Sequence, residues 1–131
     1  IEPTLGSRTG ALLAGLATYG DPRIDINPVL LKRGDPVEIA GVLVHEARHL
    51  MEGVNTHIPC SHDRQLTCDQ RLSEKLSDGG AYSYSVLFYD RVIRQSDASS
   101  QAKRSAERLL AEVLDNRFNA VLPELRARYY P

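Results

Sequence analysis

The stretch from Asp35 to Met51 leaves the backbone little choice. Asp35 stands as an N-cap, and Pro36 takes the first helical position, where a fixed φ suits the helix and a missing N–H costs nothing. Glu38 follows at the third position, a capping-box arrangement with aspartate in place of serine or threonine. Apolar residues then recur at three- and four-residue spacing, at Ile39, Ala40, Leu43, Ala47, Leu50 and Met51. Gly53 is placed to end the helix in the left-handed conformation. Inside this predicted helix, VLVHEARHLMEG sets His45 and His49 four residues apart, with Glu46 directly after the first histidine.

The rest of the chain supplies further helices and little else. Arg8 to Thr18 reads as a short helix ended by Gly20. In RIDINPVLL, Ile24 and Ile26 alternate with charged and polar neighbours, which predicts a half-buried strand that Pro28 places at an edge or stops. Asn55 to Asp69 reads as a polar loop. A second long helix is expected from near Leu72 or Gly80 to Arg94, with Tyr82, Val86, Tyr89 and Ile93 on one face and the Gly79–Gly80 pair weakening its first half. A third starts near Ser99 or Ser100 and carries Ala102, Ala106, Leu109, Leu110, Val113, Leu114 and Phe118 as a stripe, its charged side read as a solvated face. Pro123 opens a last turn or two. The sum is a mainly α fold with a small β element, an α+β domain. No repeat, low-complexity tract or linker divides residues 1–131, so a single domain is expected, and at this length the chain can bury its own core.

Charge and hydropathy remove some functions. Sixteen basic residues against seventeen acidic ones leave no global field to attract nucleic acid or an anionic membrane. The apolar run ALLAGLATYG falls well short of the ~20 residues a spanning helix needs, so no membrane insertion is expected. The sequence opens at Ile1 without methionine or a signal-like region, which reads as a processed form or a fragment of a longer chain. Cys60 and Cys68, the two cysteines, lie close together in a polar segment where a disulfide would close a small loop, and that pairing predicts a secreted or periplasmic protein.

On a helix, residues four apart share a face, so the imidazoles of His45 and His49 can both reach one ion. Glu46 is rotated about 100° from His45, which directs its carboxylate toward a water on the ion instead of the ion itself. A glutamate so placed can take that water's proton and return it to a leaving amine. A lone histidine on an apolar helix is usually a core residue with one hydrogen bond. Two at ligand spacing with an ionisable glutamate between them would be expensive to bury uncompensated.

HEARH, with the capped start before it and the strand-like RIDIN, resembles the zincin metallopeptidases, across about residues 24 to 57 and as far as about 90. The resemblance implies zinc as cofactor, His45 and His49 as ligands, Glu46 as general base, and a peptide or protein as substrate. It also implies that Arg23 to Asn27 is the edge strand that pairs with extended substrate ahead of the active-site helix. No family within the clan is assigned.

Catalytic zinc takes three protein ligands and keeps a position for water. His57 is the first choice for the third, because a turn at Gly53 would bring it back beneath the helix. The metzincin pattern H-E-x-x-H-x-x-G-x-x-H is not met: in HEARHLMEGVNTH the glycine comes one place late and the histidine two. Glu74 is next, since E-x-x-S-D in SEKLSDGGAY is similar to the second-helix motif of gluzincins, with Asp78 then orienting a histidine. Asp78, His62 and Asp69 follow as ligands. A Cys60–Cys68 bridge would stiffen the loop and reduce the entropy lost when His57 binds. Tyr82 and Tyr84 have phenols suited to a developing oxyanion, but with Phe88 and Tyr89 at helical spacing they read as core. The competing readings are a non-catalytic, zinc-stabilised helical binding domain, whose closed site would need four protein ligands, and a metal-free helical interaction module.

Overall fold

The computed structural model describes residues 7–8, 11–12, 15–17, 23–51, 57–72, 79–121 and 123–129. In chain order its elements are strands β1 (Ser7–Arg8), β2 (Ala11–Leu12), β3 (Gly15–Ala17) and β4 (Ile24–Ile26), helices α1 (Pro28–Arg33) and α2 (Pro36–His49), strands β5 (Ile58–Pro59) and β6 (Thr67–Arg71), helices α3 (Ala81–Arg94) and α4 (Ser100–Asn116), strand β7 (Phe118–Ala120) and helix α5 (Pro123–Tyr129).

Local caps start the helices. Asp35 Oδ1 accepts from Val37 N at 3.0 Å and Glu38 N at 3.3 Å, filling two of the donors that the first turn of α2 leaves open. Ser99 Oγ accepts from Ala102 N at 3.1 Å and starts α4. Between α1 and α2 the chain turns at Gly34, with φ +71°, a left-handed conformation that any Cβ would strain.

Pro28 does stop the strand before it, but the chain continues at once as helix. Asn27 Oδ1 accepts from Val29 N at 2.9 Å and caps α1, with Pro28 at its first position. The predicted helix across Arg8 to Thr18 is a misreading, since β1, β2 and β3 form there instead. β1 pairs antiparallel with β2, and β3 pairs antiparallel with β4, with Gly15 opposite Ile26 and Ala17 opposite Ile24. Nucleating a short, glycine-interrupted helix is costly, and the ladder offered by β4 outweighs local propensity.

The expected polar loop from Asn55 to Asp69 holds a second correction: it carries β5 and the start of β6. These strands and β7 make a three-stranded sheet in the order β5-β6-β7. β5 runs antiparallel to β6, and β7 pairs parallel to β6 with Asp69 opposite Phe118. Phe118 therefore leaves the helical stripe predicted for it, yet stays buried as the first residue of β7. The fold is thus mostly helical with a small sheet.

α3 packs against both α2 and α4. Val86 and Tyr89 of α3 meet Ala106, Leu109, Leu110 and Leu114 of α4, with Val37, Leu72 and Phe118 completing the cluster. At Gly41 a Cβ would stand 2.1 Å from the Tyr89 phenol oxygen, so the missing side chain is what lets α2 approach α3. The predicted apolar stripe of α2 is mostly half-buried, and Ala47 and Met51 on it are exposed. The buried residues of that helix are Val37, Gly41, Glu46 and Arg48. A helix that hides a glutamate and an arginine while showing a methionine is shaped by more than a hydrophobic core. Arg48 lies over the Tyr84 ring at 4.5 Å and donates to Gly79 O at 2.9 Å, so its charge is held by a π face and a carbonyl at the start of α3.

Candidate metal centre

The last two turns of α2 present His45 and His49 on one side, and the chain delivers His57 from the residue just before β5. His57 Nε2 lies 2.9 Å from His45 Nε2 and 3.0 Å from His49 Nε2. All three ligand atoms fall within 4.8 Å of one another. On a tetrahedral zinc ion at 2.0–2.1 Å from each nitrogen, neighbouring nitrogens would be about 3.3 Å apart, so the separations of His57 from His45 and from His49 differ from that arrangement by only a few tenths of an ångström.

Hydrogen bonds on the far side of the rings set which nitrogen is bare. The Ser85 hydroxyl donates to Ala81 O at 3.1 Å, so toward His45 Nδ1, 3.4 Å away, its oxygen accepts. His45 then carries its proton on Nδ1 and turns a lone pair on Nε2 toward the other rings. Burial, then the charges His57, His49 and Arg117 would present, hold its pKa well below 6.5, which keeps it neutral and able to ligate. Where ring nitrogens meet at such distances, lone pair against lone pair is repulsive, and a proton or a cation must lie between them.

The surroundings come from α3 and β6. Asp69 Oδ1 lies 3.3 Å from His57 Nδ1, while its Oδ2 accepts from Tyr82 N at 3.0 Å and Ser83 N at 3.3 Å. The Tyr82 ring stacks on His57 and meets His45 edge-on, each with centroids 4.5 Å apart, and its hydroxyl is 3.1 Å from Thr67 Oγ1. Burial raises the Tyr82 pKa above 10.0 against the opposing pull of Arg117, so the phenol stays protonated. Tyr82, read from the sequence as core, is therefore a wall of the cluster. Arg117 donates to Thr67 O at 3.1 Å and lies 5.4 Å from the Tyr82 ring centroid. Glu46 is 6% exposed, and its Oε1 stands 3.9 Å from His45 Nε2, beside the point where the rings converge.

No family model, curated protein sequence or solved structure matches this chain. Its chemistry is carried by its own geometry.

Of the predicted site residues, His45, Glu46, His49 and His57 come together. Glu74 and Asp78 lie outside the described residues, as does Gly53. Asp69, weighed as a ligand, instead reaches the Nδ1 side of the His57 ring. His62 is exposed and belongs to a second group with Cys60 and Cys68. Those two sulfurs are joined in a disulfide, which withdraws both thiolates as donors and confirms the pairing expected from the sequence. Sequence reasoning missed Ser85, whose one signal is a serine on the buried face of α3. It also missed Arg117, which nothing local distinguishes.

Proposed function

We propose that the protein is a zinc-dependent hydrolase, a zincin-like metallopeptidase in which His45, His49 and His57 hold the ion and Glu46 moves the proton. The observation that carries this reading is the convergence of three imidazole nitrogens with a buried carboxylate 3.9 Å from one of them. Three imidazole nitrogen donors suit zinc better than calcium or magnesium, which prefer oxygen. When bound, zinc would polarise a scissile carbonyl and acidify a water at its open position.

The chain's own residues do the rest. Glu46 Oε1 accepts a proton from the attacking water and later delivers it to the departing amine. Its burial beside His45 limits competing solvent and strengthens each electrostatic interaction. β4, paired on one side by β3 and lying with it against α2, is the strand on which an extended peptide would be held. The Cys60–Cys68 disulfide is compatible with secretion or a periplasmic location, and among the described residues no helix is long and apolar enough to cross a membrane.

The test is Glu46→Gln, assayed for zinc content and for hydrolysis of a mixed peptide library. Full zinc with hydrolysis reduced roughly 10²–10⁴-fold is the expected result. Undiminished hydrolysis in the variant would remove Glu46 from the chemistry. A zinc-loaded wild type that cleaves no peptide would leave the non-catalytic, zinc-stabilised domain as the better reading.

A further inference from the structure

The α3 helix begins without a side-chain cap of its own. Its N-cap is Gly80, which has no side-chain oxygen to offer. The acceptor comes instead from another element: Asp69 of β6 reaches over Gly80 and takes the N–H groups of Tyr82 and Ser83 on Oδ2. A Cβ at position 80 would meet that oxygen at 2.5 Å, so the glycine is the opening through which the carboxylate enters. The other oxygen of the same carboxylate faces His57 Nδ1. One turn further along α3, Ser85 faces His45 Nδ1.

We propose that Asp69 is a positioning residue that sets two of the three ligands at once, His57 directly and His45 through the placement of α3 and Ser85. This inference rests on reading the three histidines as ion ligands. A carboxylate can only accept at His57 Nδ1, so the proton stays there and the Nε2 lone pair faces the ion position. Its second oxygen fixes the start of α3, and so the height at which Ser85 meets His45. Ordering α3 and ordering the ligand set are then one event. The register of β6 against β7, with Asp69 opposite Phe118, places the carboxylate where both groups can be reached.

The test is Asp69→Asn. Backbone N–H groups at Tyr82 and Ser83 require an acceptor, so the amide oxygen takes the place of Oδ2 and the amide NH₂ turns to His57 Nδ1. His57 must then carry its proton on Nε2, the atom that should bind the ion. With ¹⁵N-labelled histidine in metal-free protein, above the histidine titration range, wild-type His57 is expected as the Nδ1–H tautomer and the variant as Nε2–H. Zinc affinity should fall by about 10–100-fold, with amide-exchange protection at Tyr82 and Ser83 retained. Ser85→Ala should weaken zinc binding while leaving the His57 tautomer unchanged. A wild-type His57 protonated on Nε2, or an Asp69→Asn variant with unaltered tautomer and zinc affinity, would overturn the proposal. Should wild-type protein bind no zinc, the ligand reading fails, and the tautomers still decide whether Asp69 sets His57.

Discussion

A single missing side chain, at Gly80, carries much of the arrangement. Both oxygens of Asp69 are committed, one toward His57 and one to the first turn of α3, so the carboxylate has nowhere to retreat from a methyl group 2.5 Å away. Gly80→Ala is expected to cost about 1–3 kcal/mol in chemical denaturation and to weaken zinc binding in the same protein. A variant with wild-type stability and wild-type zinc affinity would show that the approach of Asp69 to Gly80 is not a constraint. At this scale the sequence is legible where contacts are local. His45, Glu46 and His49 lie within one helical turn, and their mutual geometry follows from the pitch alone. His57 could be named because a short return brings it to the same place. Asp69 and Ser85 could be seen as residues but not as partners, since their roles depend on which strand lies beside which and on how α3 is turned.

The element that delivers the third ligand is the hairpin of β5 and β6. His57 immediately precedes β5, Asp69 immediately follows Cys68, and the Cys60–Cys68 bridge spans the two strands with a sequence separation of 8. Asn119 of β7 fastens the hairpin from the side, accepting from Ser61 N at 2.8 Å and donating to Pro59 O at 3.2 Å. Closing so short a loop stabilises by about 2–3 kcal/mol on chain-entropy grounds. The Cys60→Ser/Cys68→Ser double variant should therefore lose stability of that order. Its zinc affinity should fall as well, because His57 and Asp69 would no longer be held in register. A competition titration with a chelator measures this, and unchanged affinity in a destabilised variant would separate the hairpin from the site. Helices α2 and α4 were readable in advance because Asp35 and Ser99 cap them, whereas α1, which starts inside the segment read as a strand, was not. The short strands were not. β1, β2 and β3 lack any strong alternation, and β5, β6 and β7 exist through pairing between distant segments, which local propensity does not encode.

At the scale of the whole molecule, a conventional helical core supports an unconventional face. The α3–α4 cluster around Val86, Leu110 and Leu114 is apolar, and Tyr82, packed against it, carries it up to the histidine rings. Tyr89 closes it against Gly41 of α2, and burial, followed by the charges of Glu38, Glu112 and Asp35, pushes its pKa well above the usual 10.0. The folded protein then keeps a proton that the unfolded chain releases, so this contribution is intact below pH 10 and is lost as pH rises from there through the folded value. Thermal melts from about pH 9 to 11 should decline more steeply for wild type than for Tyr89→Phe, and parallel curves would contradict this. The mainly α architecture was legible because its stripes are long and periodic. The site was legible through the spacing of His45, Glu46 and His49, whereas the burial of Glu46 and the exposure of Met51, which the sequence put on the apolar stripe, emerge only in the structure. The central claim is that His45, His49 and His57 together form a metal-binding set. Its most direct test is zinc content per folded chain, by mass spectrometry, for wild type and His57→Ala. About one zinc in the wild type and essentially none in the variant is the predicted result. No zinc in the wild type, or equal zinc in both, would contradict the account.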